Sequence, residues 1–191
     1  MLNNAGYSRF ARALAVCATV VSAASLVSCA ASPSSSGGTA DTASPAAGGS
    51  AAKELQAEFV TGEGPKTIAE AKGKVVIVDF WATYCDPCRK SFPKYQELVD
   101  QFGGDLAVIA VSVDEPGDVS VDKIKEFAKE TNVKFAVVWD KEHLTSKDYK
   151  PSKMPTSFVL DKEGNIRHTH AGYESGEEDK IAEEVKTLLG K

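Results

Sequence analysis

KVVIVDFWATYCDPC, residues Lys74–Cys88, is the stretch from which the fold can be read. Its first half, Val75–Trp81, is a nearly continuous apolar run, as expected for a strand buried on both faces. Its second half carries two thiols with two residues between them, Cys85-Asp86-Pro87-Cys88. Directly after it, Phe92, Tyr95, Leu98, Val99 and Phe102 recur at helical spacing until Gly103-Gly104 stops the pattern. A strand therefore hands over to a helix at the first thiol. A cysteine in that place meets the positive end of the helix dipole and unpaired amide donors, which favour its thiolate. The second thiol follows one turn further in, close enough to close a disulfide. Pro87 suits the first turn, where its missing amide hydrogen would have had no helical partner.

Working outward, Glu58-Phe59-Val60 reads as a short strand ahead of the turn signal Gly62-Glu63-Gly64-Pro65. Leu106–Val113 is a second buried strand, and Ile124, Phe127 and Ala128 mark a helix capped near Asp118 or Ser120. Phe135–Trp139 is a third apolar strand, with a short polar helix after it around His143–Tyr149. Thr156–Leu160 and Ile166–Ala171 flank the turn Asp161–Asn165 as an antiparallel hairpin. Ser175-Gly176-Glu177-Glu178 has the form of a capping box for a last helix that turns Ile181, Val185, Leu188 and Leu189 inward. Strands alternating with helices, closed by a hairpin and a helix, predict an α/β sandwich on a mixed sheet.

The chain has 191 residues, 22 Lys+Arg against 27 Asp+Glu, and a formal net charge of −5. That acidity argues against a nucleic-acid partner, which needs a basic stripe. Residues 53–191 suffice for one core without disulfide staples. The segment before them carries only Arg9, Arg12 and Asp41 as charges. Arg9 and Arg12 precede the apolar stretch Ala13–Val27, which has the n-region and h-region of a secretory signal and is too short to span a membrane. The stretch ends in Leu26-Val27-Ser28-Cys29, which resembles a bacterial lipobox. That resemblance implies a signal peptide over 1–28 and a lipid-modified Cys29, whose two acyl chains would supply stable anchoring. Residues 29–52, rich in Ala, Ser, Gly and Pro, read as a flexible linker with a reach of roughly 25 Å. Cys17 lies within the h-region and is expected to leave with the signal.

Cys85 and Cys88 are then the only thiols of the domain. In an oxidising compartment an idle pair of buried thiols would not persist, and a permanent disulfide over so short a loop adds little stability. Two thiols alone leave a tetrahedral metal site incomplete. A redox-active pair is the better reading, with Cys85 attacking and Cys88 resolving. A copper-binding chaperone, two thiols with a distal histidine, is the second reading. A peroxidase is disfavoured because no Thr-rich loop precedes Cys85. His168 and His170 alternate on one strand and so share a side; His143 reads as a surface residue. Asp79, among apolar neighbours, reads either as a carboxyl behind the dithiol or as the partner of a lysine such as Lys94 or Lys134. Trp81 and Tyr84 read as packing and rim residues, and the stripe Phe92, Tyr95, Phe102 as core.

These residues together are similar to the active-site strand and helix of thioredoxin-fold proteins, and the FWAT-x-C-x-P-C form most resembles the TlpA/ResA-like thiol–disulfide oxidoreductases. Pro93 matches the helix-kinking proline of that fold, and Met154-Pro155-Thr156 its cis-proline loop. The resemblance implies a thioredoxin-like three-layer α/β/α sandwich with a mixed central sheet, an N-terminal strand extension and an extra βα insertion within Leu106–Lys153. It implies a catalytic pair Cys85 and Cys88 supported by Asp79, Trp81, Tyr84, Asp86, Pro87, Met154 and Pro155, and a cis Met154–Pro155 bond. No cofactor or metal is expected beyond the Cys85–Cys88 disulfide itself. The implied partners are protein disulfides or dithiols and a membrane thiol protein that donates electrons, on the extracytoplasmic side of a bacterial membrane. Three positions depart from the pattern: Asp79 where relatives of ResA often have Asn, Ser91 where apocytochrome reductants carry a glutamate, and Tyr84 where Trp is usual. The missing glutamate weakens a specific assignment to cytochrome c maturation. Asp86 and Asp79 both disfavour a thiolate, so Cys85 is expected to titrate nearer about 7 than about 3.5 and to act as a reductant.

Overall fold

The computed structural model describes residues 49–191; the expectations for the signal, Cys17 and Cys29 fall outside the described residues. The elements follow one another as β1 (Glu58–Thr61), β2 (Val75–Trp81), α1 (Asp86–Phe102), β3 (Leu106–Ser112), α2 (Val121–Glu130), β4 (Ala136–Trp139), α3 (Leu144–Tyr149), β5 (Thr156–Leu160), β6 (Ile166–Ala171) and α4 (Glu177–Leu189). They build one six-stranded sheet in the order β1-β4-β3-β2-β5-β6. The three strands β2, β3 and β4 run parallel, while β1, β5 and β6 add antiparallel edges. The thioredoxin-like α/β architecture expected from the sequence is therefore present, with β1 as the added strand and α2–β4 as the insertion.

Strand alternation divides the core in two. Val75, Ile77 and Trp81 of β2 face α1, α2 and α4, where they meet Phe92, Tyr95, Phe127, Ile181 and Val185. Val76, Val78 and Phe80 face the opposite side, packing with Tyr149 of α3 and with Leu55, Ile68 and Ala71. β2 and β3 are buried along their whole length, which accounts for the unbroken apolar runs that announce them.

Two details differ from expectation. Ser50–Ala52, assigned to the linker, lie against the β5–β6 turn: Ala52 N–H donates to the Gly164 carbonyl at 2.9 Å, and Ile166 N–H to that of Ser50 at 2.9 Å. The last helix is not capped by Ser175. Gly176, with φ +99°, is its N-cap, a left-handed conformation that glycine adopts without a Cβ penalty. Glu178 reaches back to accept the Gly176 N–H at 2.9 Å and the Tyr173 hydroxyl at 2.8 Å. Only the glutamate half of the predicted box survives.

Candidate active site

β2 ends at Trp81, and a turn closed by Cys85 N–H donating to the Ala82 carbonyl at 3.0 Å delivers the chain to α1. Cys85 is the N-cap of that helix, with Pro87 in its first turn and Pro93 inside it. Its Sγ accepts the Cys88 N–H at 3.2 Å, so the sulfur occupies the place where a capping oxygen usually sits. The two sulfurs are joined as a disulfide with Cα atoms 5.3 Å apart. Cys85 retains 6 % exposure and Cys88 none. Beside them Tyr84 is 71 % exposed, a rim residue as expected, whereas Trp81 is buried against Phe92 and Phe127 at ring distances of 4.9 and 4.4 Å. The Met154–Pro155 peptide is cis, and the Pro155 carbonyl accepts the Gly172 N–H at 2.7 Å. Asp86 is exposed at the first position of α1. Ser91 is buried, its hydroxyl donating to the Cys88 carbonyl at 3.2 Å.

Asp79 points from β2 toward the α1 side, since it alternates with Ile77 and Trp81. Among the described residues it has no lysine partner: Lys94 pairs with Glu97 on α1 at 2.9 Å. Instead its Oδ1 accepts the Ser157 hydroxyl at 2.6 Å, and Ser157 Oγ lies 2.7 Å from the Tyr95 hydroxyl. Oδ2 has no hydrogen-bond partner among the described residues, nor has Trp81 Nε1. Complete burial raises the Asp79 pKa to about 7 against the opposing hydrogen bonds of Ser157 and Tyr95. The carboxyl thus exchanges its proton near neutrality. Sequence reasoning puts Tyr95 in the core stripe and does not single out Ser157. The two lie 62 positions apart, and only the pairing of Asp79 with Ser157 across β2 and β5 brings them to the carboxyl.

The histidines go elsewhere. His168 and His170 do share a side, and it faces α4: His170 is buried with Nδ1 3.0 Å from Glu177 and Nε2 2.7 Å from Glu184, and His168 Nδ1 lies 3.4 Å from Glu184. Burial disfavours the imidazolium of His170, but Glu184 and Glu177 outweigh it and hold its pKa above the ordinary value. His143 is a surface residue 3.1 Å from Glu115. Among the described residues no three His, Cys, Asp or Glu converge where they could hold a metal ion.

A mixed sheet of this order, with a cysteine pair capping α1 beside a cis-proline, defines a thioredoxin-fold thiol–disulfide oxidoreductase. Residues 49–169 match the model of the AhpC/TSA family, and the chain belongs to that family. It is 32 % identical over 124 residues to the thioredoxin-like protein YneN of Bacillus subtilis, covering 65 % of this chain and 71 % of that one. It is 36 % identical over 118 residues to the thiol-disulfide oxidoreductase ResA of Bacillus thuringiensis, covering 61 % and 66 % of the two chains. A thiol:disulfide interchange protein of the thioredoxin family from Chlorobium tepidum superposes with a TM-score of 0.63 at 26 % identity, over 76 % of this chain and 99 % of the other. These likenesses carry the enzymatic class and the Cys85/Cys88 pair.

Proposed function

We propose that this protein is a lipid-anchored, extracytoplasmic reductase of protein disulfides, with Cys85 as the attacking thiol. The observation that carries the reading is the placement of the pair: Cys85 caps the helix through its Sγ and is the less buried of the two residues, while Cys88 is fully enclosed. In the reduced protein the Cys85 thiolate attacks a substrate disulfide. One substrate sulfur joins Cys85, and the other leaves as a thiolate and takes a proton. Cys88 then loses its proton and attacks Cys85 Sγ, which releases the second substrate thiol and closes Cys85–Cys88. Two electrons have passed to the substrate. A membrane-bound donor dithiol resets the pair by the same exchange run backward.

Asp79 is the proton store for the second step, because its pKa of about 7 and its unpartnered Oδ2 suit it to accept a proton and give it up again. Tyr84, Asp86, Pro87 and the half-buried Met154 form the rim that a substrate segment meets, with the buried Pro155 beneath it and Trp81 backing the pair from the core. Neither His168 nor His170 is offered to the thiols as a metal site would require; His170 is held by two glutamates of α4. The lipid anchor rests on the signal-like segment and Cys29 of the sequence. Among the described residues no helix is long and apolar enough to cross a membrane.

A Cys88→Ser variant tests the reading, since it should stall the cycle at the mixed disulfide and copurify with substrates through Cys85. Adducts that form equally in a Cys85→Ser, Cys88→Ser double variant would overturn it. Radiolabelled palmitate incorporated by the wild type and lost in Cys29→Ser tests the anchor.

A further inference from the structure

A second buried carboxylate stands near the thiols, and the oxidoreductase chemistry does not use it directly. Asp114 lies two residues beyond β3 and is fully buried. Its two oxygens share the Thr83 N–H at 3.1 and 3.0 Å. The Thr83 hydroxyl donates to Oδ1 at 2.7 Å, and the Ser112 hydroxyl to Oδ2 at 2.8 Å. The Trp139 indole N–H donates to the Asp114 carbonyl at 2.8 Å, and the Val113 N–H to the Trp81 carbonyl at 2.9 Å. Every group reached on the β2 side belongs to the short turn Trp81–Cys85 that carries the reactive sulfur. A buried carboxylate is costly to desolvate and persists only where several donors compensate it. Here those donors are the Thr83 N–H and hydroxyl in the Cys85 turn and the Ser112 hydroxyl at the end of β3.

We infer that Asp114 is a positioning residue for Cys85: with Trp139 of the inserted βα unit behind it, Asp114 clamps Thr83 and so holds the Cys85 sulfur in line with the Cys88 N–H. The benefit of a helix N-terminus to a thiolate depends on that alignment, because the bond weakens steeply as its angle closes. Release of Thr83 frees the turn, the Cys85 thiolate loses its amide donor, and the thiol becomes less acidic. The insertion thereby acquires a role in the thiol chemistry without touching either sulfur. This inference rests on Cys85 being the attacking thiol.

The test compares alkylation of reduced full-length protein by iodoacetamide at neutral pH, read by mass at each cysteine. Asp114→Ala should slow alkylation of Cys85 about fivefold, the fall in thiolate fraction at neutral pH when a thiol of pKa about 7 is raised by about one. It should also shift the glutathione equilibrium toward the closed disulfide. Asp114→Asn keeps one carbonyl acceptor for Thr83 and an amide for Ser112, and should recover most of the rate. Thr83→Val keeps the backbone contact and loses the hydroxyl, so it should fall between them; it also serves if Asp114→Ala does not fold. Asp161→Ala is the structural control: Asp161 accepts the Glu163 and Asn165 N–H groups at 3.1 and 2.8 Å in the β5–β6 turn, and its loss should lower stability but leave the alkylation rate alone. Folded Asp114→Ala and Thr83→Val proteins that alkylate at the wild-type rate would overturn the inference, as would equal slowing in Asp161→Ala. Wild-type protein that alkylates first at Cys88 would instead overturn the assignment of Cys85, on which the clamp depends.

Discussion

Replacing Asp79 by asparagine should change how the stability of this protein depends on pH. Burial lifts the carboxyl from 3.8 to about 7, so across that interval the folded chain binds a proton that the unfolded chain releases. A pKa raised by folding contributes stability that is complete below 3.8 and is lost as pH rises through about 7. About three units at 1.36 kcal/mol each amount to roughly 4 kcal/mol, undiminished by solvent because the group is wholly buried. The Asp79→Asn protein has no such proton to lose. Its new amide would stand where Oδ2 has no partner, at a cost of about 1–3 kcal/mol, but that cost is the same at every pH and drops out of the comparison. Other groups, His170 included, titrate alike in both proteins. Urea unfolding of the oxidised proteins, with the disulfide closed so that neither thiol titrates, should show the wild type losing roughly 4 kcal/mol relative to the variant between about pH 4 and about pH 8. Parallel stability curves would refute a buried carboxyl that takes up its proton near neutrality.

Limited iodoacetamide labelling of the reduced wild type should modify Cys85 first, since Cys88 is fully enclosed; preferential labelling of Cys88 would reverse the two roles. Equilibration with glutathione or dithiothreitol should give a midpoint potential nearer about −270 mV than about −120 mV, and a value above roughly −180 mV would make the protein an oxidant or isomerase instead. Asp86→His should raise that potential, because it replaces an acidic neighbour of Cys85 with a group that favours the thiolate; no change would remove Asp86 from the electrostatics of the site. Phe92→Ala, which empties the junction of Trp81, Phe127 and Phe135, should cost about 3–5 kcal/mol in chemical denaturation.

Local pattern is enough for most of the architecture. Val75–Trp81 and Leu106–Ser112 are apolar along their length because both of their faces are covered, so an unbroken run locates them without any alignment. The thiol pair is legible because its spacing and its place between strand and helix are both local. What depends on distant partners is not. Asp79 can be seen as a carboxyl among apolar residues, but Ser157, which chooses between a lone acid and a lysine pair, lies 78 positions away. Asp114 stands at the end of a readable strand, yet its meaning comes from Thr83, 31 positions earlier. Alternation puts His168 and His170 on one side, whereas only the docking of α4 decides that this side is covered. Ser175 fails as a cap for a different reason: Gly176 behind it takes a left-handed conformation, and the helix starts from the glycine.

The segment Ser50–Ala52 bears on how the domain can be handled and attached. It meets the β5–β6 turn at Gly164 and Ile166, whereas the thiol helix starts beyond the other end of β5, where Thr156 pairs with Phe80. Five residues of strand put roughly 15 Å between those two ends of the sheet. Lys191, the last described residue, pairs with Asp105 just ahead of β3, so both ends of 49–191 lie at the same blunt end of the domain. A bead, a resin or a fusion partner joined at either of them therefore grips the domain from behind. The end of the domain that carries the exposed Tyr84 and Asp86 around Cys85 is left free to meet whatever comes to it.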